Sequence, residues 1–270
     1  MPFARHEKEG LVWLTSPALA GVRHGFSTRL GGISPAPWDS LNLRPGMGDG
    51  PEALRENYRR FCGAVGLDPA RSVLAKQVHE TTVWVCTEAD AGKGLLRERD
   101  YTADALISDV PGLALFVFSA DCGTVLLFDP ATGAAGAVHS GWRGCAAGIV
   151  AEAVRALERE YGTKPADLQA ALGPCIGSCC FETDGDVPEA MERALGEKAG
   201  PYLERRGAKW HVDLQGLNRQ WLLESGLEPE HIDACALCTA CHPELFWSHR
   251  KMGEARGVQC GAVRAGRLEN

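Results

Sequence analysis

The chain has 270 residues, 45% of them hydrophobic and 23% charged, with a net charge of −7. That much apolar material excludes a disordered chain, and the acidic balance excludes a broadly basic nucleic-acid binder. Eleven cysteines are present, yet a chain of this length needs no disulfide framework. The opening MPFARHEKEG is charged and shows no apolar signal core. The longest apolar run, Gly112–Ala120, is about half of what a bilayer needs. A cytoplasmic, reducing setting with free thiols is expected, with no membrane and no nucleic-acid partner. There, clustered cysteine reads as metal or catalysis before it reads as a crosslink.

In chain order, Gly31–Gly50 is rich in Pro and Gly and reads as a long surface loop. Pro51–Val65 reads as a helix, with Pro51 at its start, Glu52 in the first turn, and Leu54, Tyr58, Phe61 and Val65 on one face. Ser72–Thr87 carries β-branched residues and reads as a strand. Leu113–Phe118, Thr124–Phe128 and Ala134–His139 read as three strands, the last two joined by the turn Asp129–Gly133. Gly144–Tyr161 reads as an amphipathic helix ended by Gly162. Leu168–Leu172 reads as a strand, Pro188–Gly200 and Leu214–Gly226 as helices. No linker divides the chain, so residues 1–270 are expected to form one domain.

The hairpin around Asp129–Gly133 carries a chemical consequence. Pairing 129 with 133 places His139 opposite residue 123, beside Cys122, with paired Cα atoms roughly 4.5–5.5 Å apart. A slip of one residue changes facing but not proximity. A soft ligand and an imidazole therefore meet at one end of the hairpin. The following Gly141-Trp142-Arg143-Gly144 leads into a helix, whose free N–H groups suit an anion, as does the Arg143 fork. The plainer alternative is a buried structural thiol beside a gap-filling histidine. Asp121 weighs against it, since a carboxylate between two apolar strands needs a partner or a task.

An ordered set of motifs then carries a resemblance. They are His24-Gly25-Phe26-Ser27-Thr28-Arg29, Leu41-Asn42-Leu43, Lys76-Gln77-Val78-His79, Ala103-Asp104-Ala105-Leu106-Ile107, Ala120-Asp121-Cys122, Val138-His139-Ser140-Gly141-Trp142-Arg143-Gly144, Gly173-Pro174-Cys175-Ile176-Gly177 and Cys238-Thr239. Together they resemble the YfiH/YlmD family of purine nucleoside phosphorylases, earlier described as laccase-domain multicopper polyphenol oxidases. The resemblance runs from about residue 23 to 260.

The resemblance implies an α/β or α+β fold, one domain with mixed β-sheets flanked by helices, related to that of toxin deamidases and cysteine hydrolases. It implies one catalytic zinc held by His79, Cys122 and His139, with a fourth position open. It also implies phosphorolysis of adenosine, inosine, guanosine and methylthioadenosine to a base and a pentose 1-phosphate, and adenosine deamination at the same site. Both reactions make sense beside a Lewis acid that acidifies water. Arg143 is the first candidate for holding phosphate; Arg29, Asn42 and Lys76 follow as binding candidates placed by motif. The chain departs from the family pattern at Thr124 (usually Pro), Arg44 (usually Gly), Tyr58 (usually Arg), and Ser248-His249-Arg250-Lys251, where Ser-Tyr-Arg-Arg is usual.

A second cysteine group, Cys235-Ala236-Leu237-Cys238-Thr239-Ala240-Cys241, resembles part of an iron–sulfur or structural zinc pattern but lacks a fourth cysteine in line. The family match accounts for Cys238 and Cys241 without a second metal. Adjacent Cys179 and Cys180 point to opposite faces if extended, so they are not expected to serve one site. The competing functional readings are a copper phenol oxidase, a cysteine hydrolase using Cys122 as nucleophile and His139 as base, and a non-enzymatic binding role. Copper would also bind such ligands in vitro. The oxidase reading suffers from eight histidines and no His-x-His pair.

Overall fold

A computed structural model describes residues 3–268. Its strands and helices, in chain order, are β1 (Ala4–Lys8), β2 (Leu11–Thr15), β3 (His24–Ser27), α1 (Pro51–Val65), β4 (Ser72–Leu74), β5 (Val83–Val85), β6 (Ala105–Ser108), β7 (Ala114–Ser119), β8 (Gly123–Phe128) and β9 (Ala135–Ser140). There follow α2 (Trp142–Ala146), α3 (Ile149–Tyr161), β10 (Gln169–Leu172), β11 (Glu182–Thr183), α4 (Asp186–Leu195), β12 (Leu203–Arg206), β13 (Lys209–Val212), α5 (Leu214–Glu224), β14 (Ile232–Ala234), α6 (His249–Met252) and β15 (Gln259–Arg264).

Two six-stranded mixed sheets form the centre, in the orders β1-β2-β3-β15-β7-β4 and β14-β10-β8-β9-β6-β5. They pack face to face through β7 and β15 against β8 and β9. Alternation along each strand sorts the side chains. Leu115 and Val117 of β7 join Leu126 and Phe128 of β8 between the sheets. Phe116 and Phe118 turn the other way, onto Tyr58, Phe61 and Cys62 of α1. Val125 and Leu127 of β8 meet Ile149, Val150, Val154 and Leu157 of α3. Strands buried on both faces read as continuous apolar runs, as β7 and β8 do. Each large side chain enclosed in this way contributes about 1.5–3 kcal/mol. The layers are therefore helix, sheet, sheet, helix: an α/β architecture of mixed sheets flanked by helices.

The observed α1 matches its predicted span, with Pro51 in the first turn and Gly66 closing it at φ 81°. Four expectations are corrected. Ser72–Thr87 is not one strand but β4 and β5, separated by an irregular loop that carries Lys76 and His79. Gly144–Tyr161 is two helices, α2 and α3, divided at Gly148 with φ 76°. The helix expected over Pro188–Gly200 begins at Asp186 and ends at Leu195, followed by a 3-10 segment through Tyr202. In the hairpin, Thr124 rather than residue 123 pairs with His139. The Asp129 carboxylate shapes that turn by accepting from Ala131 and Thr132, and the strands close at Asp129 N–H to Ala134 C=O. The shift puts His139 on the face of Thr124, Leu126 and Phe128, toward the opposing sheet. A three-stranded sheet, β11-β13-β12, lies outside the sandwich and has no counterpart in the sequence reading.

Candidate metal centre

At one end of the sandwich three side chains converge. Cys122 stands immediately before β8, His139 is the penultimate residue of β9, and His79 sits in the loop between β4 and β5. One ligand atom from each lies within 4.8 Å of the other two. The imidazoles of His79 and His139 meet edge to face with centroids 4.9 Å apart. His139 is buried, Cys122 half-buried and His79 exposed. The group therefore joins the protein interior to the solvent.

Asp104, just ahead of β6, organises two of the three. Its Oδ1 lies 2.8 Å from His139 Nδ1, which leaves Nε2 to face the site. The same carboxylate accepts from the backbone N–H groups of Val78, His79 and Glu80 at 2.9, 3.1 and 3.1 Å. His79 takes a left-handed φ of 63°, a conformation that a non-glycine residue holds only when its surroundings impose it. Gln77 ties the loop to β7, exchanging hydrogen bonds with Phe118 N–H and C=O.

Cys122 is set by a second buried carboxylate. Asp121, at φ 90°, accepts from Thr239 Oγ1 at 2.6 Å, Ser248 Oγ at 3.0 Å and the Arg250 backbone N–H at 2.7 Å. Asp121 thus has the partners that its position demanded. Gly141 closes the third side: a Cβ there would stand 2.9 Å from Cys122 Sγ and 3.3 Å from His79 Nδ1. Only a residue without a side chain fits against the donor atoms.

The electrostatics suit the arrangement. Burial alone would depress the His139 imidazole, but the Cys122 sulfur and the Asp104 carboxylate outweigh it and raise its pKa to about 9. Burial would raise Asp104, yet the hydrogen bonds from His139, Val78 and Glu80 hold it below the usual carboxylate range. His79 is lowered, first by desolvation and then by His139. An imidazole and a thiol facing one point, with the second imidazole anchored by a carboxylate, form the donor set of a borderline-soft cation.

The triad opens into a cavity of about 490 Å³, within the range of small-molecule sites. Trp142, Ile176, Phe181 and Leu214 supply apolar wall, and Arg143, Arg250 and Arg256 supply positive charge. Arg143 is exposed and stacks on the Trp142 ring at 4.3 Å. Arg250 is committed to the carbonyls of Cys180 and Glu182. Arg256 has a buried Nε with no hydrogen-bond partner among the described residues. Arg256 was missed by sequence reasoning; its only signal was its place a few residues beyond the Ser248-His249-Arg250-Lys251 motif. The helix expected to offer its N-terminus to an anion is the five-residue α2, too short to carry a strong dipole.

The remaining predicted binding residues lie elsewhere. Arg29 does not line this cavity; it stacks on Trp247 at 4.1 Å and donates to the carbonyls of Pro243 and Asp39. Asn42 is buried and spends its amide on Arg44, Asp49 and Val258. Lys76 is exposed beside a separate shallow cleft over Gly94–Arg99. Of the family departures, His249 lines the cavity, whereas Tyr58 is buried and donates to Leu43 C=O at 2.6 Å.

A helix-flanked pair of mixed sheets with two imidazoles and a thiol at one end defines an α/β protein whose donor group could hold a metal ion. The family profile described as "Multi-copper polyphenol oxidoreductase laccase" matches residues 23–265, and the chain belongs to this family. It is 32% identical over 253 residues to purine nucleoside phosphorylase YlmD of Geobacillus stearothermophilus, covering 91% of each chain. It is 37% identical over 235 residues to purine nucleoside phosphorylase YfiH of Escherichia coli, covering 87% of this chain and 90% of that one. The crystal structure of Bacillus licheniformis hypothetical protein YfiH superposes with a TM-score of 0.91 at 29% identity, covering 98% and 99% of the two chains. That of YlmD from Geobacillus stearothermophilus gives 0.90 at 30%, covering 97% and 98%. Among the described residues no helix is long and apolar enough to cross a membrane.

Proposed function

We propose that this chain is a zinc-dependent purine nucleoside phosphorylase, cleaving nucleosides with inorganic phosphate to a base and a pentose 1-phosphate, and that it also deaminates adenosine. The observation that carries the reading is the convergence of His79, Cys122 and His139 within 4.8 Å in a cavity with a cationic rim. The names of the YlmD and YfiH relatives support the substrate class. His79, Cys122 and His139 would hold the zinc, and a bound zinc supplies Lewis-acid polarisation. Asp104 keeps the His139 proton on Nδ1. Arg143 and the Arg256 guanidinium, both at the cavity wall, bind the phosphate anion and hold it beside its co-substrate. The Trp142 and Phe181 faces offer stacking area to a purine and exclude water. Arg29 and Asn42 act in this reading by shaping the flanking loops, and Lys76 stands apart from the cavity.

A second reading rests on one observation: Asp104, His139 and Cys122 also stand in the order orienter, base and nucleophile of a cysteine hydrolase. The copper oxidase reading fits less well. Such centres use many imidazoles, whereas among the described residues two histidines share this site. Metal analysis of purified protein, with inosine plus phosphate assayed for hypoxanthine and Cys122→Ser alongside, decides the matter. Loss of both zinc and phosphorolysis in the variant supports the phosphorylase. A zinc-free, active enzyme that is inactivated by alkylation of Cys122 supports the hydrolase. A zinc-replete wild type without phosphorolysis overturns the first reading.

A further inference from the structure

Outside that cavity the sequence left two cysteine groups unassigned, and the fold brings them together. Cys179 and Cys180 do not lie on an extended strand. They occupy a turn in which the N–H groups of both Cys180 and Phe181 donate to Gly177 C=O at 2.9 Å. The turn folds the two side chains to the same side, which corrects the expectation that they diverge. Cys238 and Cys241 arrive from the segment after β14, which is tied alongside by a bridge between Cys175 and Cys238. Cys235, the third member of the linear motif, is buried in the core between the sheets and takes no part.

The four sulfurs of Cys179, Cys180, Cys238 and Cys241 all lie within 4.8 Å of one another. Cys241 Sγ is 3.5 Å from Cys179 Sγ and 3.4 Å from Cys180 Sγ. A tetrahedral zinc with Zn–S bonds of about 2.3 Å sets its sulfurs about 3.8 Å apart. A polynuclear iron–sulfur cluster, whose cysteines bind different irons, needs them spread more widely. A backbone donor also suits a thiolate at Cys238. The Gly177 N–H donates to Cys238 Sγ at 3.2 Å, and a Cβ on Gly177 would lie 3.3 Å from both Cys179 Sγ and Cys238 Cβ. Cys179 and Cys241 are exposed, so a cation has a path in.

We propose that Cys179, Cys180, Cys238 and Cys241 form a second, structural zinc site, a closed tetrathiolate separate from the His79–Cys122–His139 centre. Binding releases the thiol protons to solvent. With no open position, the ion does no chemistry of its own; it staples two segments. One carries Ile176, which donates its N–H to Asp121 C=O, and Phe181 in the cavity wall. The other carries Thr239, which donates to the Asp121 carboxylate. The staple therefore holds the frame around Cys122.

The test is zinc counting on protein purified under reducing conditions, together with cobalt(II) substitution. About two zinc ions per chain are expected for the wild type, and about one in either Cys241→Ser or Cys179→Ser. His79→Ala is expected to lose the other ion and keep the tetrathiolate. Cobalt(II) loaded into His79→Ala should show the intense tetrahedral d–d bands and sulfur-to-cobalt charge transfer of four thiolates. This readout needs no cysteine variant to fold. Unchanged zinc content in both serine variants, a cobalt spectrum without that thiolate signature, iron in place of zinc, or a disulfide among these cysteines in the reduced preparation would each overturn the proposal.

Discussion

Asp104 and His139 meet at 2.8 Å through Oδ1 and Nδ1, both side chains almost wholly enclosed. The same carboxylate holds the backbone of the loop that carries His79. One residue therefore aims two of the three donor atoms.

Replacing Asp104 with Asn keeps the shape but removes the charge and half of the acceptor capacity. Zinc affinity at the triad is expected to fall about 10- to 100-fold, measured by competition with a chromophoric chelator. The tetrathiolate site would keep its ion.

Gly141→Ala tests the cradle from the opposite side. Its backbone lies at φ −70°, which any residue adopts, so the only penalty is the close approach to Cys122 Sγ and His79 Nδ1. Zinc at the triad should be lost, while the melting temperature of the metal-free variant stays close to that of the metal-free wild type.

Asp121 separates hydrogen bonding from geometry. Asp121→Ala leaves two hydroxyls and one backbone N–H without their acceptor, and alanine tolerates the positive φ less well than aspartate does. A loss of about 3 kcal/mol or more in denaturant unfolding is expected. Asp121→Asn tolerates the backbone and keeps one acceptor oxygen, so it should lose less.

Arg143→Ala and Arg256→Ala are expected to raise the KM for phosphate roughly 10- to 100-fold, the weight of one charge-assisted hydrogen bond. Steady-state kinetics at varied phosphate would show this as a change in KM with little change in the KM for nucleoside.

His24 predicts the acid limb of stability. Its Nε2 accepts from Ser16 N–H and its Nδ1 donates to Val22 C=O, so the fold holds the neutral ring. Burial lowers its pKa from the usual 6.5. Protonation then favours the unfolded chain: the contribution is complete above 6.5 and declines as the pH falls toward the lowered value. Melting temperatures between about pH 7.5 and 5.5 should fall more steeply for the wild type than for His24→Gln.

The parts legible in sequence were those written locally. The β8–β9 turn spans few residues, so Cys122 and His139 had to meet; only the hydrogen bonds of Asp129 moved the register by one. Helix α1 carried its own start and stop signals. Val78, by contrast, looked strand-like, and the force that bends its segment into a loop is Asp104, far along the chain. Arg29 and Asn42 stand in quoted motifs, yet the geometry binds them to neighbouring loops. Cys179 and Cys180 looked divergent because alternation assumes an extended chain, and the Gly177 turn overrides it.

The long stretch between β3 and α1 has no helix or strand, but Leu41 and Leu43 within it are fully enclosed. Asn57 fastens it through Ile33, Ser34 and the Asn42 carbonyl, Tyr58 through Leu43, and Trp247 through Leu41. Irregular backbone here is as anchored as any strand. Its amides at Leu41 and Leu43, bonded to Arg29 and Val258 carbonyls, should exchange with deuterium only when the whole molecule opens. A protease should find no early cut beside them.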